Sequence, residues 1–426
     1  MRERLKSAAL ALLLLLAVGL SYVSLTLGVS SSALSGNWLS GLRGGTDTGA
    51  ETEAFTASAA AWPEKLAVLT ENGLYQAADE THYAALWTEV QPFYEEALGS
   101  GGTPETIAEP DFEAALRAPA VLLSYGTALP YALLRVWCDA AAEDSALTVR
   151  SVVLCAENDA VALLFRDGSG ACWKMQTAAA AQTLDDLCGG DYVYNAVLAA
   201  NDGSCAALLP EEPVLTGALA VAECTLAPTA AASGELPRAV LAAFSLNPYL
   251  AKIYQDSEGG TVYVESRSTL QATAAGDLIY HAAGGGIELT LPAGENETIR
   301  QARICDGAAA LLGQVWTALS ADGQLSLDSL TRAGAGGVYT LRFELEKGGR
   351  FLDLGDRCWA QVTVSAAGII TDVTLSPRRI TEGAAQSLLP LRQAAAALEG
   401  SAYWRLSVRW LAAGAERMRP AVCKVR

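Results

Sequence analysis

Apolar positions along this chain change texture from one stretch to the next. Residues 8–29 carry no charged side chain, and 10–20 are almost entirely Leu and Ala. About 20 apolar residues in a helix rise roughly 30 Å, the thickness of a bilayer's hydrocarbon core. Residues 30–62 are rich in Ser, Gly, Thr and Ala and poor in large apolar side chains, a composition that predicts a flexible tether. Beyond it Tyr83, Leu86, Val90, Phe93 and Tyr94 recur at helical spacing and predict a helix over 81–98. A short helix is expected at 111–116, an apolar strand at 120–125, and a further helix over 129–137 after Pro130. From residue 148 the pattern turns to strands at 149–156, 160–166 and 170–175, separated by the turn signals Asn158-Asp159 and Asp167-Gly168. A helix over 178–187, a turn at Gly189-Gly190, another at 201–203 and the segment 205–209 follow, and the small-residue stretch 227–235 marks a boundary.

The last region repeats this rhythm. Strands are expected at 261–267 and 277–281, a helix over 296–312, and a new element beginning within 315–319. Strands at 338–345, 358–364 and 368–375 precede a helix over 386–398 and closing strands at 404–411 and 419–425. Trp404, Leu406, Val408 and Trp410 occupy every second position, as on a half-buried antiparallel strand. Each region mixes antiparallel strands with one or two helices, which is the α+β class. The expected organisation is a cytoplasmic tail (1–7), a transmembrane helix (8–29), a linker (30–62) and two to three small extracytoplasmic domains. Their expected spans are 63–147 (N-terminal α/β), 148–235 (central α+β) and 236–426 (C-terminal α+β).

Orientation follows from charge. Arg2, Arg4 and Lys6 precede the apolar run against a single acid, Glu3, and basic flanks stay on the cytoplasmic side. The reading is therefore a single-pass protein of the cell membrane with its N-terminus inside and everything after about residue 30 outside. A cleaved leader ending near Ser31-Ser32-Ala33 is the rival, but the run is long for a secretory core. Ala17, Ser21, Ser24 and Gly28 fall at i, i+4, i+7 and i+11 and line one face of the helix. Small residues in such a row let membrane helices approach closely, so these four are the candidate partner-binding residues.

The formal charge of −18 makes nucleic acid a poor partner, because phosphate binding needs a basic face. Nine cysteines (138, 155, 172, 188, 205, 224, 305, 358 and 423) show no CxxC spacing, so neither a zinc ribbon nor a redox pair is signalled. Several lie in strand-like runs, where a thiol behaves as a small hydrophobe. The only histidines, His82 and His281, sit in no nucleophile pattern. The acidic neighbours Glu95-Glu96, Asp185-Asp186 and Glu211-Glu212 cannot face each other across a sugar and read as solvated surface. Residues 334–337 lack the Lys-Ser/Thr of a phosphate loop, and Asn296-Glu297-Thr298 reads as a helix start. One basic stretch closes the chain: Arg405, Arg409, Arg417, Arg419, Lys424 and Arg426 against Glu416, read as a charged solvent face or a contact for an acidic partner. No catalytic, cofactor or metal site is expected, and the chain reads as no enzyme.

The opening Met1-Arg2-Glu3-Arg4-Leu5-Lys6-Ser7 running into an apolar helix resembles the start of YycH-type regulatory proteins. So do Val121-Leu122-Leu123-Ser124-Tyr125 leading to Leu129-Pro130, and the strand pair Gly260-Thr261-Val262-Tyr263-Val264-Glu265 with Gly276-Asp277-Leu278-Ile279-Tyr280. Tyr339-Thr340-Leu341-Arg342-Phe343, Ala360-Gln361-Val362-Thr363-Val364 and the closing Met418-Arg419-Pro420-Ala421-Val422 resemble the module shared by YycH and YycI. That family more often has an aromatic soon after this proline, where Cys423 stands here. The resemblance implies a membrane-anchored accessory factor that associates with YycI and the sensor histidine kinase WalK and adjusts cell-wall two-component signalling in Gram-positive bacteria, through contacts that include membrane helices. The alternatives are an anchored ligand-binding sensor of a wall or lipid fragment and an anchored hydrolase dependent on His82 or His281.

Overall fold

The computed structural model describes residues 62–425, less positions 139, 142–144, 292–293, 295, 334–336, 356, 399–403 and 415. The expected membrane helix and tether, with Ala17, Ser21, Ser24 and Gly28, lie outside the described residues. Among the described residues no helix is long and apolar enough to cross a membrane.

The first sheet uses β1 (Lys65–Thr70), β2 (Gly73–Gln76), β3 (Glu105–Ile107), β4 (Ala120–Pro130), β5 (Thr148–Glu157), β6 (Ala160–Arg166), β7 (Cys172–Ala180), β8 (Ala196–Leu198) and β9 (Pro213–Leu215). Its order is β3-β7-β6-β5-β4-β1-β2-β8-β9, antiparallel throughout. Strands β4 to β6 are near-continuous apolar runs because both of their faces are covered. On one face Val121, Leu123, Val152, Leu154 and Phe165 meet the stripe Tyr83, Leu86, Val90, Phe93 and Tyr94 of α1 (Glu80–Ser100). On the other, Leu122, Val153 and Leu164 meet Phe112 of α2 (Glu109–Ala115), together with Leu208 and Leu406. Helix α3 (Tyr131–Trp137) follows β4 at Pro130, whose fixed φ suits a helix entrance. Helix α4 (Ala181–Cys188) follows β7.

The second sheet begins with β10 (Ala220–Pro228), followed by α5 (Arg238–Ala243) and the meander β11 (Lys252–Gln255), β12 (Thr261–Glu265), β13 (Ser268–Ala272) and β14 (Leu278–Ala282), then β15 (Ile287–Glu288) and α6 (Glu297–Ala318). It continues with β16 (Gln324–Ala333), β17 (Val338–Lys347), β18 (Arg350–Asp353), β19 (Ala360–Val364), β20 (Ile369–Leu375) and β21 (Arg378–Ser387). Helix α7 (Leu391–Ala396) and the final hairpin β22 (Arg405–Ala412) and β23 (Arg417–Val425) complete it. The 14-stranded order is β11-β12-β13-β14-β20-β19-β17-β18-β22-β23-β10-β21, with β15 on β20 and β16 on β17. Strand β19 alternates buried and half-buried positions, the mark of an antiparallel sheet with one covered face. That face holds Tyr263, Leu270, Tyr280, Leu341, Val362 and Val373, against Ala308, Leu311, Leu312 and Val315 of α6. Each such fully buried Leu contributes about 1.5–3 kcal/mol by leaving water. Helix α6 starts at Asn296, whose side chain accepts from Thr298 N at 2.7 Å, as its sequence position predicts.

The molecule is thus sheet-rich α+β with antiparallel sheets and few helices. Several details depart from the expected layout. Strands β4 and β5, on either side of residue 147, are hydrogen-bonded neighbours, and the passage between sheets falls between β9 and β10. Residues 315–319 finish α6 instead of opening a new element. Residues 386 and 387 end β21, which pairs with β10, and Pro390 confines the expected helix to Leu391–Ala396. Residues 205–209 hold a 3-10 turn and an isolated bridge to Trp404. That bridge, with Trp404 N donating to Ala207 O (2.8 Å) and Leu209 N to Trp404 O (2.9 Å), hooks the end of the chain onto the first sheet. Strand β22 then runs parallel to β18 in the second.

Candidate functional site: an ion network where the two sheets meet

The site is built where the start of β1 meets the start of β22. Glu64 and Lys65 stand at the head of the apolar strand Lys65–Thr70, and Glu212 directly precedes β9. Arg405, Ser407 and Arg409 occupy alternate positions of β22, so all three point to one face. Lys65 Nζ donates to Glu212 Oε1, and Leu406 N donates to the same oxygen at 3.2 Å. Arg405, 2% exposed, donates to Tyr125 O and lies 3.5 Å from Glu212 Oε2 and 3.7 Å from Glu64 Oε2. The last two distances are ion-pair contacts without hydrogen bonds, and Arg405 Nε, Glu64 Oε2 and Glu212 Oε2 have no hydrogen-bonding partner. Arg409 reaches Glu64 at 3.7 Å and Glu344 of β17 at 3.5 Å, over the Phe351 ring at 5.4 Å. Ser407 Oγ donates to Glu64.

Burial sets the electrostatics. It pushes the Glu344 carboxyl up to about 7, with Arg409 pulling back and Asp328 and Glu64 adding to the rise. Burial also pulls the Arg150 guanidinium down, and Arg405 nearby pulls it further. Removing charges from water costs several kcal/mol per ion, so the cluster stands only because each carboxylate faces a cation. A second group lies under the first sheet. There Arg166 grips Glu211 at 2.9 and 3.2 Å, and Ser151 Oγ donates to the same carboxylate at 2.7 Å.

Two expectations are corrected here. Glu211 and Glu212 are 2% and 0% exposed and belong to opposite halves of this ion network, not to solvated surface. Arg405 and Arg409 are likewise interior and paired; among the basic positions of the tail, Arg417, Arg419 and Lys424 face solvent. Arg419 lies 3.4 Å from Glu223 and Lys424 sits 4.8 Å over the Trp404 ring. Asp185 and Asp186 are exposed and Glu95 and Glu96 lie at the surface of α1, as expected. No sequence motif marks Glu64, Lys65, Arg166 or Glu344. Their one signal is a charged residue abutting or interrupting an apolar strand.

Each histidine meets a carboxylate: His82 Nδ1 lies 2.7 Å from Asp79, and His281 Nδ1 lies 2.6 Å from Asp372. Both pairs are more than half exposed or nearly so. All nine cysteines are free thiols, and burial pushes several up, Cys155 and Cys224 to about 11. Among the described residues no group of acids, thiols and imidazoles is placed to hold a metal ion. Beside the network opens a cleft of about 490 Å³ between α1 and the β17–β18 turn, lined by Trp62, Glu80, Tyr83, Asp322, Gln324 and Glu346. Gln324 Nε2 donates to Glu346 at 2.7 Å, and burial raises the Glu346 carboxyl. The cleft is open and acid-rimmed.

Two sheets joined by a terminal hairpin make this a sheet-rich α+β protein. The crystal structure of YycH from Bacillus subtilis is similar over 87% of this chain and 94% of that one, with a TM-score of 0.54 and 10% identity. At that identity the likeness is one of fold: this chain has a YycH-like fold. An uncharacterised protein from Eubacterium rectale aligns over 48% of this chain and 76% of its own at 9% identity and a TM-score of 0.24. No family model matches the chain, and no curated protein matches it.

Proposed function

We propose that this chain is a membrane-anchored, extracytoplasmic, non-enzymatic regulator. In this reading it associates with a WalK-like sensor histidine kinase and a YycI-like partner and modulates cell-wall two-component signalling. The observation that carries the reading is the YycH-like fold over 87% of the chain. The charge-free run at 8–29 behind a basic start supports the anchor, and the small-residue face Ala17, Ser21, Ser24 and Gly28 offers a surface for partner helices. Such a protein shifts a kinase only if it binds the two signalling states with different affinity, and a coupling of about 1–3 kcal/mol is typical. The test is co-purification from membranes with a reporter of kinase output. Replacing Ala17, Ser21, Ser24 and Gly28 together with Leu weakens association and changes output, while the melting temperature of the remainder stays at the wild-type value. Association and output both unchanged would refute the helix-packing mechanism.

A second reading, an anchored sensor of a wall or lipid fragment, rests on the cleft beside Trp62. Its polar, open lining suits it less to an apolar ligand than a deep pocket would. Saturable binding of such a fragment, lost in Glu80→Ala with the melting temperature unchanged, would favour this reading over the first.

A further inference from the structure

At one end of the second sheet the ladder stops at β11, whose partner among the described strands is β12 alone. Alternate N–H and C=O groups on its outer side therefore point away from the sheet and are free to pair. The strand at the opposite end, β21, is mostly polar and charged (RRITEGAAQS), the usual protection of an edge. Strand β11 is different: Ile253 is 60% and Tyr254 52% exposed, and the turn before it adds Tyr249 at 76% and Leu250 at 68%. The register sets Ile253 opposite Tyr263, which faces the core, and Tyr254 opposite Val262 on the open face. Apolar side chains thus project from both faces of the free edge, and a strand added alongside covers both at once.

We propose that β11 is a self-association edge, at which a second copy of this chain adds its own β11 antiparallel and continues the sheet across a twofold axis. In an antiparallel pair directly opposed residues point to the same face, so a twofold through the edge must fall on a residue. Centred on Tyr254, it opposes Tyr254 to Tyr254 of the second copy, Ile253 to Gln255, and Lys252 to Asp256. The symmetry repeats the Lys252–Asp256 pair on both sides of an aromatic pair. Centred on Ile253, it would instead set Lys252 against Tyr254 and Leu250 against Asp256. Asp256 already accepts hydrogen bonds from Glu258 N, Gly260 N and Gln271 Nε2, but its charge still faces Lys252, and that complementarity favours the Tyr254 register over the Ile253 one.

The experiment uses the full chain in detergent micelles, with its mass followed by light scattering over a concentration series. Single cysteine variants are also tested under mild oxidation against the wild-type background of native thiols. Tyr254→Cys is expected to give a covalent dimer, because Cβ atoms of directly opposed residues lie about 4.5–5.5 Å apart. Ile279→Cys, exposed on the same sheet but set in from the edge, is expected to match the background. Tyr254→Asp and Lys252→Glu are each expected to weaken dimerisation about tenfold, with the melting temperature unchanged because both side chains are exposed. The proposal is overturned by a wild-type monomer at all concentrations, which is the outcome if the edge takes a strand from another protein. It is also overturned by a dimer that neither substitution weakens, which is the outcome if the 8–29 segment alone drives association. Cross-linking of Tyr254→Cys no greater than that of Ile279→Cys overturns it too.

Discussion

Asp306 lies midway along α6, half-buried, with Oδ1 accepting a hydrogen bond from Trp137 Nε1 of α3 at 3.0 Å. Burial pushes its carboxyl from 3.8 up to about 7, while the Trp137 hydrogen bond and the nearby Arg303 pull back. In the unfolded chain an Asp titrates near 3.9. Between those values the folded protein retains a proton that the unfolded chain has released. Stability from this group is therefore complete below about pH 4 and is lost as pH rises through about 7. The rise from 3.8 to about 7, at about 1.4 kcal/mol per pH unit, sets an upper figure of about 4 kcal/mol. Solvent reaching a half-buried carboxylate brings the expected effect nearer about 2 kcal/mol. Asp306→Asn keeps the acceptor for Trp137 and cannot ionise. Urea unfolding of residues 62–426, followed by Trp fluorescence, measures the difference. The variant should match wild type at about pH 3, below the unfolded value, and exceed it by about 2 kcal/mol at pH 8. An equal difference at both pH values, or a variant less stable at pH 8, would refute the claim that burial of a charge dominates at this position.

Arg405→Met removes the buried guanidinium from between Glu64 and Glu212 and should cost about 3–5 kcal/mol in the same unfolding experiment. Adding Glu212→Gln should recover part of that loss, and a fully additive second loss would contradict the ion-pair geometry. His82→Ala with His281→Ala should change stability by less than about 1 kcal/mol, because both histidine–carboxylate contacts are exposed. The double variant should also leave kinase-reporter output at the wild-type level; a loss of function with normal stability would revive the hydrolase alternative.

The elements most readable in the chain are those with a strong local period. The α1 stripe of Tyr83, Leu86, Val90, Phe93 and Tyr94, the hairpin β5–β6 around Asn158-Asp159, and alternation in β17, β19 and β22 all appear where the spacing places them. The expected helix over 386–398 takes in the last two residues of β21, Gln386 and Ser387, whose neighbours Gly383-Ala384-Ala385 carry no strand period. Both belong to the strand because β10 lies alongside to take its hydrogen bonds. The change in texture near residue 148 falls within one sheet, where β4 and β5 are neighbouring strands.

The sequence alone determined the sheet-rich α+β class and the positions of most helices and strands among the described residues. Side-chain period and capping are local properties that need no distant partner. Only the tertiary structure decided which charges are interior. Glu212 meets Lys65 across 147 residues of chain and Arg405 from the final hairpin. A Glu-Glu pair is surface or core according to whether cations 45 and 147 residues away arrive beside it. Burial of a charge is settled by its partners, and partners so distant are brought together by sheet pairing, which local sequence does not encode.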